Sequence, residues 1–176
     1  MMVSDFVRRN KIILVVSILI VILGLSVKFK MPLSDTQKLT GFNNNLMTLN
    51  APVDMGVKKF KASYDMTIKT YTMRTVYMDA LDLNLAAQKA LRRTQIQLQV
   101  PGFRNKDAQA AVQNAHDLYV AYIKSLEVVS KNVITLAQNS GYAAKLSPLT
   151  LPSMDKVTEN INAAYTALGN KPVTKT

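Results

Sequence analysis

Arg92, Arg93, Arg104 and Lys106 stand on either side of a Pro101–Gly102 turn, with Asp107 beside them to offset the charge. Guanidinium groups grip carboxylate and phosphate through paired N–H donors. Four such cations gathered at a hairpin end are suited to holding an anionic surface or an acidic partner. Lys58, Lys59 and Lys61 form a second cluster, of a kind that rests on lipid head groups. Arg8, Arg9 and Lys11, with Lys28 and Lys30, form a third set around an apolar run. These twelve cations are chemistry of contact, not of catalysis.

The residues that turn over substrates are sparse. His116, next to Asp117, is the single imidazole, and there is no cysteine. One histidine without thiolates or an HExxH spacing does not make a transition-metal site. Asp79 and Asp82 share a helical face, yet nothing reactive is spaced to meet them. Neither a glycine-rich phosphate loop nor a GxSxG elbow occurs. The sequence therefore predicts no catalytic residue, no cofactor and no metal. Met47, Met55, Met66, Met73 and Met78, with Tyr64, Tyr71, Tyr77, Tyr119 and Tyr122, recur at helical spacing and are expected in a core whose phenol hydroxyls reach its edge.

Something must position these groups, and the first element is the most legible. Residues 12–27 read IILVVSILIVILGLSV, without a charge. As a helix the run rises about 24 Å, slightly short of a ~30 Å hydrocarbon core. Phe6, Val7, Phe29 and Met31 extend it, and the flanking Lys and Arg can snorkel. The expectation is a single signal anchor over 12–30, with 1–11 a short cytoplasmic tail. Residues 31–176 would then lie in the periplasm of a bacterium, or on the far side of a virion membrane. A signal peptide cut after Ser26 is the competing reading.

Beyond the span, Ser34 and Gln37 form a capping box for a helix expected to end or kink at Ala51–Pro52. Val53 to Val100 holds no proline, and Val57, Tyr64, Tyr71, Met78 and Leu85 recur every seven residues. That predicts a helix of about 70 Å, with a break expected near Asp79–Asn84. Asn105 caps the next helix, Lys106 to Asn139, whose Ala108, Val112, Ala115, Tyr119, Tyr122, Leu126, Val129, Val133 and Leu136 trace an a/d seam. Gly141 is placed for a left-handed cap. After a loop, Ser153 caps a last helix with Met154, Val157, Ile161, Ala164 and Leu168 on one face, and Gly169 ends it. No segment alternates with period two. The fold class predicted is all-α: an N-terminal transmembrane helix, then an antiparallel bundle of three to four helices over 31–170 with a long coiled-coil-like hairpin, and a disordered tail at 171–176.

The chain carries a net charge of +11, and seventeen of its basic residues against ten acidic ones lie beyond position 30. Such an excess is drawn to anionic lipid or acidic polymer; with the bundle outside the cytoplasm, nucleic acid is not an expected partner. The order of features resembles the LemA family. N44-N45-L46-M47-T48-L49-N50-A51-P52-V53 is similar to that family's N-x-L-V-x-L-x-x-x-V opening, and Thr158–Glu159–Asn160 echoes its T-E-N. Its R-R-x-D-L-I-P-N-L-V run has no counterpart, the aligned stretch here being MTIKTYTMRTV, and Pro52 falls where that family continues a helix. The resemblance implies a helical envelope protein of undefined activity. The function expected is a non-enzymatic, membrane-anchored structural or interaction protein in an envelope or virion-membrane assembly, self-associating through its seams. A ligand-binding sensory ectodomain and a phage lysis factor reaching across the periplasm are the alternatives.

Overall fold

The structure, a computed structural model, describes residues 32–70 and 73–172. The expected anchor, 12–30, and Arg8, Arg9, Lys11, Lys28 and Lys30 lie outside the described residues, as does Tyr71. Among the described residues no helix is long and apolar enough to cross a membrane. The chain forms two units, Met1–Leu33 and Ser34–Thr176, and the architecture below is that of the second.

It is all-α, with four helices: α1 (Asp35–Thr70), α2 (Met73–Gln97), α3 (Lys106–Asn139) and α4 (Asp155–Ala167). The capping box opens α1, Ser34 N–H donating to Gln37 Oε1 (2.9 Å) and Gln37 N–H to Ser34 Oγ (3.2 Å). Contrary to expectation, Pro52 does not end it. A proline inside a helix costs about 3 kcal/mol. Leu46, Leu49, Val53 and Phe60 are buried on both sides of it, and each such side chain contributes roughly 1.5–3 kcal/mol by leaving water. Packing outweighs the missing hydrogen bond, and the helix runs through.

The expected continuous helix over 53–100 is instead divided, with α1 ending at Thr70 and α2 beginning at Met73, earlier than the Asp79–Asn84 break that was anticipated. The division resets the helical phase. Val57 and Tyr64 pack inward, whereas Met78 and Leu85, one and two heptads past Tyr71, are 54 % and 51 % exposed. The methionines expected in the core are mostly outside it: Met47, Met55 and Met66 are also exposed, and Met73 alone of that set is buried.

Asn105 caps α3 as expected, its Oδ1 accepting from Asp107 N–H (2.9 Å) and Ala108 N–H (3.0 Å). The buried stripe follows the heptad to Leu126, then steps to Ser130, Val133 and Ala137, leaving Leu136 41 % exposed. A straight helix drifts about 20° per heptad against a strict seven-residue repeat, so the stripe keeps the 3.6-residue period of an ordinary bundle rather than that of a supercoil. Gly141 and Tyr142 both take positive φ (58° and 67°), and Tyr142 N–H closes on Ala137 O (2.9 Å). At α4 the hydroxyl of Ser153 accepts from Asp155 N–H (3.1 Å). Gly169, at φ 74°, ends the helix.

The helices alternate in direction. Gly56 of α1 lies against Leu83 of α2, so close that a Cβ there would stand 3.4 Å from the Leu83 Cα. On the α2–α3 face, Asn84 Nδ2 donates to Glu127 O and Ser130 Oγ (3.0 Å each), while Gln88 Nε2 reaches Asn84 Oδ1 (2.9 Å). The 13-residue α4 covers only part of α3. The connector before it supplies the rest of the fourth wall, with Leu146, Leu149 and Leu151 against the core and Tyr64 donating its hydroxyl to Ser147 O (2.7 Å).

Candidate functional site: a stitched, basic end of the bundle

The chain between α2 and α3 is a connector of residues 98–105, longer than a two-residue turn. Leu98 is buried and continues the last helical hydrogen bond, its N–H on Thr94 O (3.0 Å). Phe103 packs on the core, its N–H donating to Gln109 Oε1 (2.8 Å). The connector is then fixed by α1. Asp35 Oδ2 accepts from Arg104 N–H (2.8 Å) and Asn105 N–H (3.2 Å), its Oδ1 meets Lys38 Nζ (3.3 Å), and Lys38 Nζ also donates to Gly102 O. Burial works to raise the Asp35 carboxyl, but the two backbone donors and the Lys38 ammonium outweigh it and hold the group below the usual carboxylate range.

The same end carries the close of α4. Asn105 Nδ2 donates to Ala167 O (2.9 Å), and Asn170 Nδ2 to Thr36 Oγ1 (3.1 Å). Asp35, Asn105 and Asn170 thus tie together the start of α1, the start of α3 and the end of α4. Asn105 was legible as a cap. The roles of Asp35 and Asn170 were not, because their partners are 69 and 134 residues away.

Around these ties Arg104, Lys106 and Lys171 are exposed, with Asp107 among them. Arg92 and Arg93 are exposed as well but stand apart from this end. Since Asn84 pairs with Glu127 and Ser130, antiparallel counting puts Arg92 level with about residue 120, on the order of 20 Å from Lys106. The four cations expected at one tip therefore occupy two places. Lys58, Lys59 and Lys61 are exposed midway along α1, where Lys58 pairs with Asp54 (2.7 Å) and Lys61 with Asp65 (3.0 Å).

His116 borders an open hollow of about 460 Å³ between α2 and α3, floored by Leu91, Leu98 and Val120 and edged by Gln95 and Lys124. Its Nδ1 faces Asp117 Oδ1 (3.0 Å). That contact, with the Gln113 amide, holds the Asp117 carboxyl below the usual range against a slight opposing effect of burial. No carboxylate lines the hollow itself. Among the described residues no three His, Cys, Asp or Glu side chains are grouped to hold a metal. Inside the bundle, Tyr119 OH and the Oδ1 atoms of Asn43 and Asn50 are buried without a hydrogen-bond partner. Burial, with the Asp54 carboxylate nearby, pushes the Tyr122 phenol up to about 12. On the outside, Met78, Leu81 and Leu85 line one exposed face of α2.

No family model, curated protein or solved structure matches the chain.

Proposed function

We propose that this chain is a non-enzymatic, membrane-anchored structural or interaction protein that presents a helical bundle to other components of a bacterial envelope or a virion membrane. The observation that carries the reading is the uncharged run at 12–27 between Arg8, Arg9 and Lys11 on one side and Lys28 and Lys30 on the other. The bundle supports it. Its one imidazole is engaged by Asp117, its side-chain ties join helices to one another, and its exposed Met78–Leu81–Leu85 face is apolar surface of a kind that self-association covers. The resemblance to LemA proteins points the same way. In this reading Arg92 and Arg93, exposed on the flank of α2, meet an acidic partner beside the bundle.

Fractionation of cells making the full chain tests the anchor. The protein is expected in the membrane pellet after alkaline carbonate washing, with 31–176 digested by protease added to the periplasmic side. Mature protein beginning near Val27 in the soluble fraction would remove the reading. Cross-linking in intact cells followed by detergent extraction tests the second half, and a ladder containing only monomer would leave the bundle without an interaction role.

A further inference from the structure

The stitched end is the end at which residue 34 enters the bundle, and it is basic. We infer that Arg104, Lys106 and Lys171 form a docking face that holds this end of the bundle on anionic lipid head groups. The inference rests on the anchored reading above and adds to it which surface of the bundle meets the bilayer.

Chain length makes the assignment. Four peptide units separate Lys30 from Ser34, and at about 3.5 Å each they span at most ~14 Å. The start of α1 therefore stays close to the point where an anchor over 12–30 leaves the lipid. Arg104 and Asn105 are bound through their backbone N–H groups to Asp35, the first residue of α1. Asn170, the neighbour of Lys171, is bound to Thr36. The three cations are thus fixed to the same short stretch of chain that is tethered.

The acidic residues at this end do little to cancel it. Asp35 is consumed by its two N–H donors and Lys38, which leaves Asp107 against Arg104, Lys106 and Lys171. A basic residue near an anionic leaflet strengthens association by about fivefold, and the attraction fades over a Debye length of about 8–10 Å. Lys58 lies 23 residues along α1 from Asp35, about 35 Å. Arg92 and Arg93 stand on the order of 20 Å up the bundle. With the stitched end on the leaflet both stand beyond that range, so the proposal puts the lipid contact at Arg104, Lys106 and Lys171 rather than at Lys58, Lys59 and Lys61. The polar stitches matter here because they stiffen the face: Arg104 and Lys106, with Lys171 beside the tied Asn170, lose less freedom on docking than cations on a loose connector.

The absence of cysteine makes the test direct. The full chain, reconstituted in vesicles, carries one fluorophore at Gly102→Cys, a position with open space around its Cβ, or at the exposed Asn139→Cys at the other end of α3. Quenching by nitroxide-head-group lipid is compared between phosphatidylcholine vesicles and vesicles containing phosphatidylglycerol, with vesicle flotation measured on every sample. Quenching at Gly102→Cys is expected to rise with phosphatidylglycerol and to fall back to its phosphatidylcholine level in Arg104→Glu/Lys106→Glu/Lys171→Glu. Arg74→Glu/Lys131→Glu, which reverses exposed cations elsewhere, should leave it high, and Asn139→Cys should respond to neither lipid nor variant. Protein that floats but shows quenching indifferent to lipid charge or to the triple reversal overturns the docking face and leaves the anchor standing. Equal loss from the two reversals overturns it too, by showing a general charge effect. Protein that does not float overturns both.

Discussion

Asp35 serves three donors at once, the Arg104 and Asn105 amides and the Lys38 ammonium, and its charge is what they recognise. Its carboxyl is held below the usual range, so its contribution is complete above the ordinary carboxylate value and is lost as pH falls through the lowered one. Asp35→Ala should lower the unfolding midpoint at neutral pH and speed amide exchange at Arg104 and Asn105. Its gap from the wild type should close under acid. A gap that persists at low pH would mean the carboxylate is not the clamp. Tyr119 presents the opposite case. Its hydroxyl is fully buried with no hydrogen-bond partner, and burial raises its pKa well above the normal phenol value. A buried donor left unmade costs about 1–3 kcal/mol. Tyr119→Phe removes that cost while keeping the ring, so the variant is expected to be as stable as the parent or up to about 1 kcal/mol more stable in a denaturant titration. A loss of more than that would reveal a partner for the hydroxyl.

Elements were legible where local chemistry decides them and obscure where packing overrides it. The capping box at Ser34, the Asn105 cap, the bounds of α3 and the stop at Gly169 follow from side chains within three residues of the backbone groups they serve. Pro52 misled because its local penalty is smaller than the burial of Leu49, Val53 and their neighbours. The division after Thr70 misled because KTYTM carries neither proline nor glycine, and once the phase is reset a heptad count that crosses it assigns Met78 and Leu85 to the wrong face. The candidate site was half legible: Arg104 and Lys106 could be found from charge, but Lys171 and the ties through Asp35 and Asn170 depend on where the ends of α1 and α4 meet. Pro52 itself gives the test of the balance. With helix bounds unchanged, Pro52→Ala restores the donor to Thr48 O and should stabilise the protein by about 1–3 kcal/mol, seen as a higher urea midpoint. A destabilised variant would mean that the surrounding helix has adapted to the proline.

At the scale of the whole molecule, charge and connectivity act in one direction. Helices that alternate up and down set successive elements side by side, and among the described residues Lys38 pairs with Asp35, Lys58 with Asp54, and Lys61 with Asp65, each three or four positions apart. Exposed pairs of this kind contribute about 0–1 kcal/mol each. Against them stands the excess of seventeen basic over ten acidic residues beyond position 30, a repulsion that spreads over every compact arrangement of the bundle. Added salt screens both, but the long-range repulsion is more strongly screened than pairs in contact. The full chain in nonionic detergent is therefore expected to melt higher as sodium chloride is raised at neutral pH, the larger part of the rise coming before the Debye length falls below about 10 Å. The same screening should weaken the hold of Arg104, Lys106 and Lys171 on phosphatidylglycerol vesicles. Salt would thus tighten the fold while loosening its contact with lipid. A melting temperature that drops with salt would show that attraction between charges, not repulsion, governs the bundle, and would require cross-helix ion pairs stronger than the local ones described.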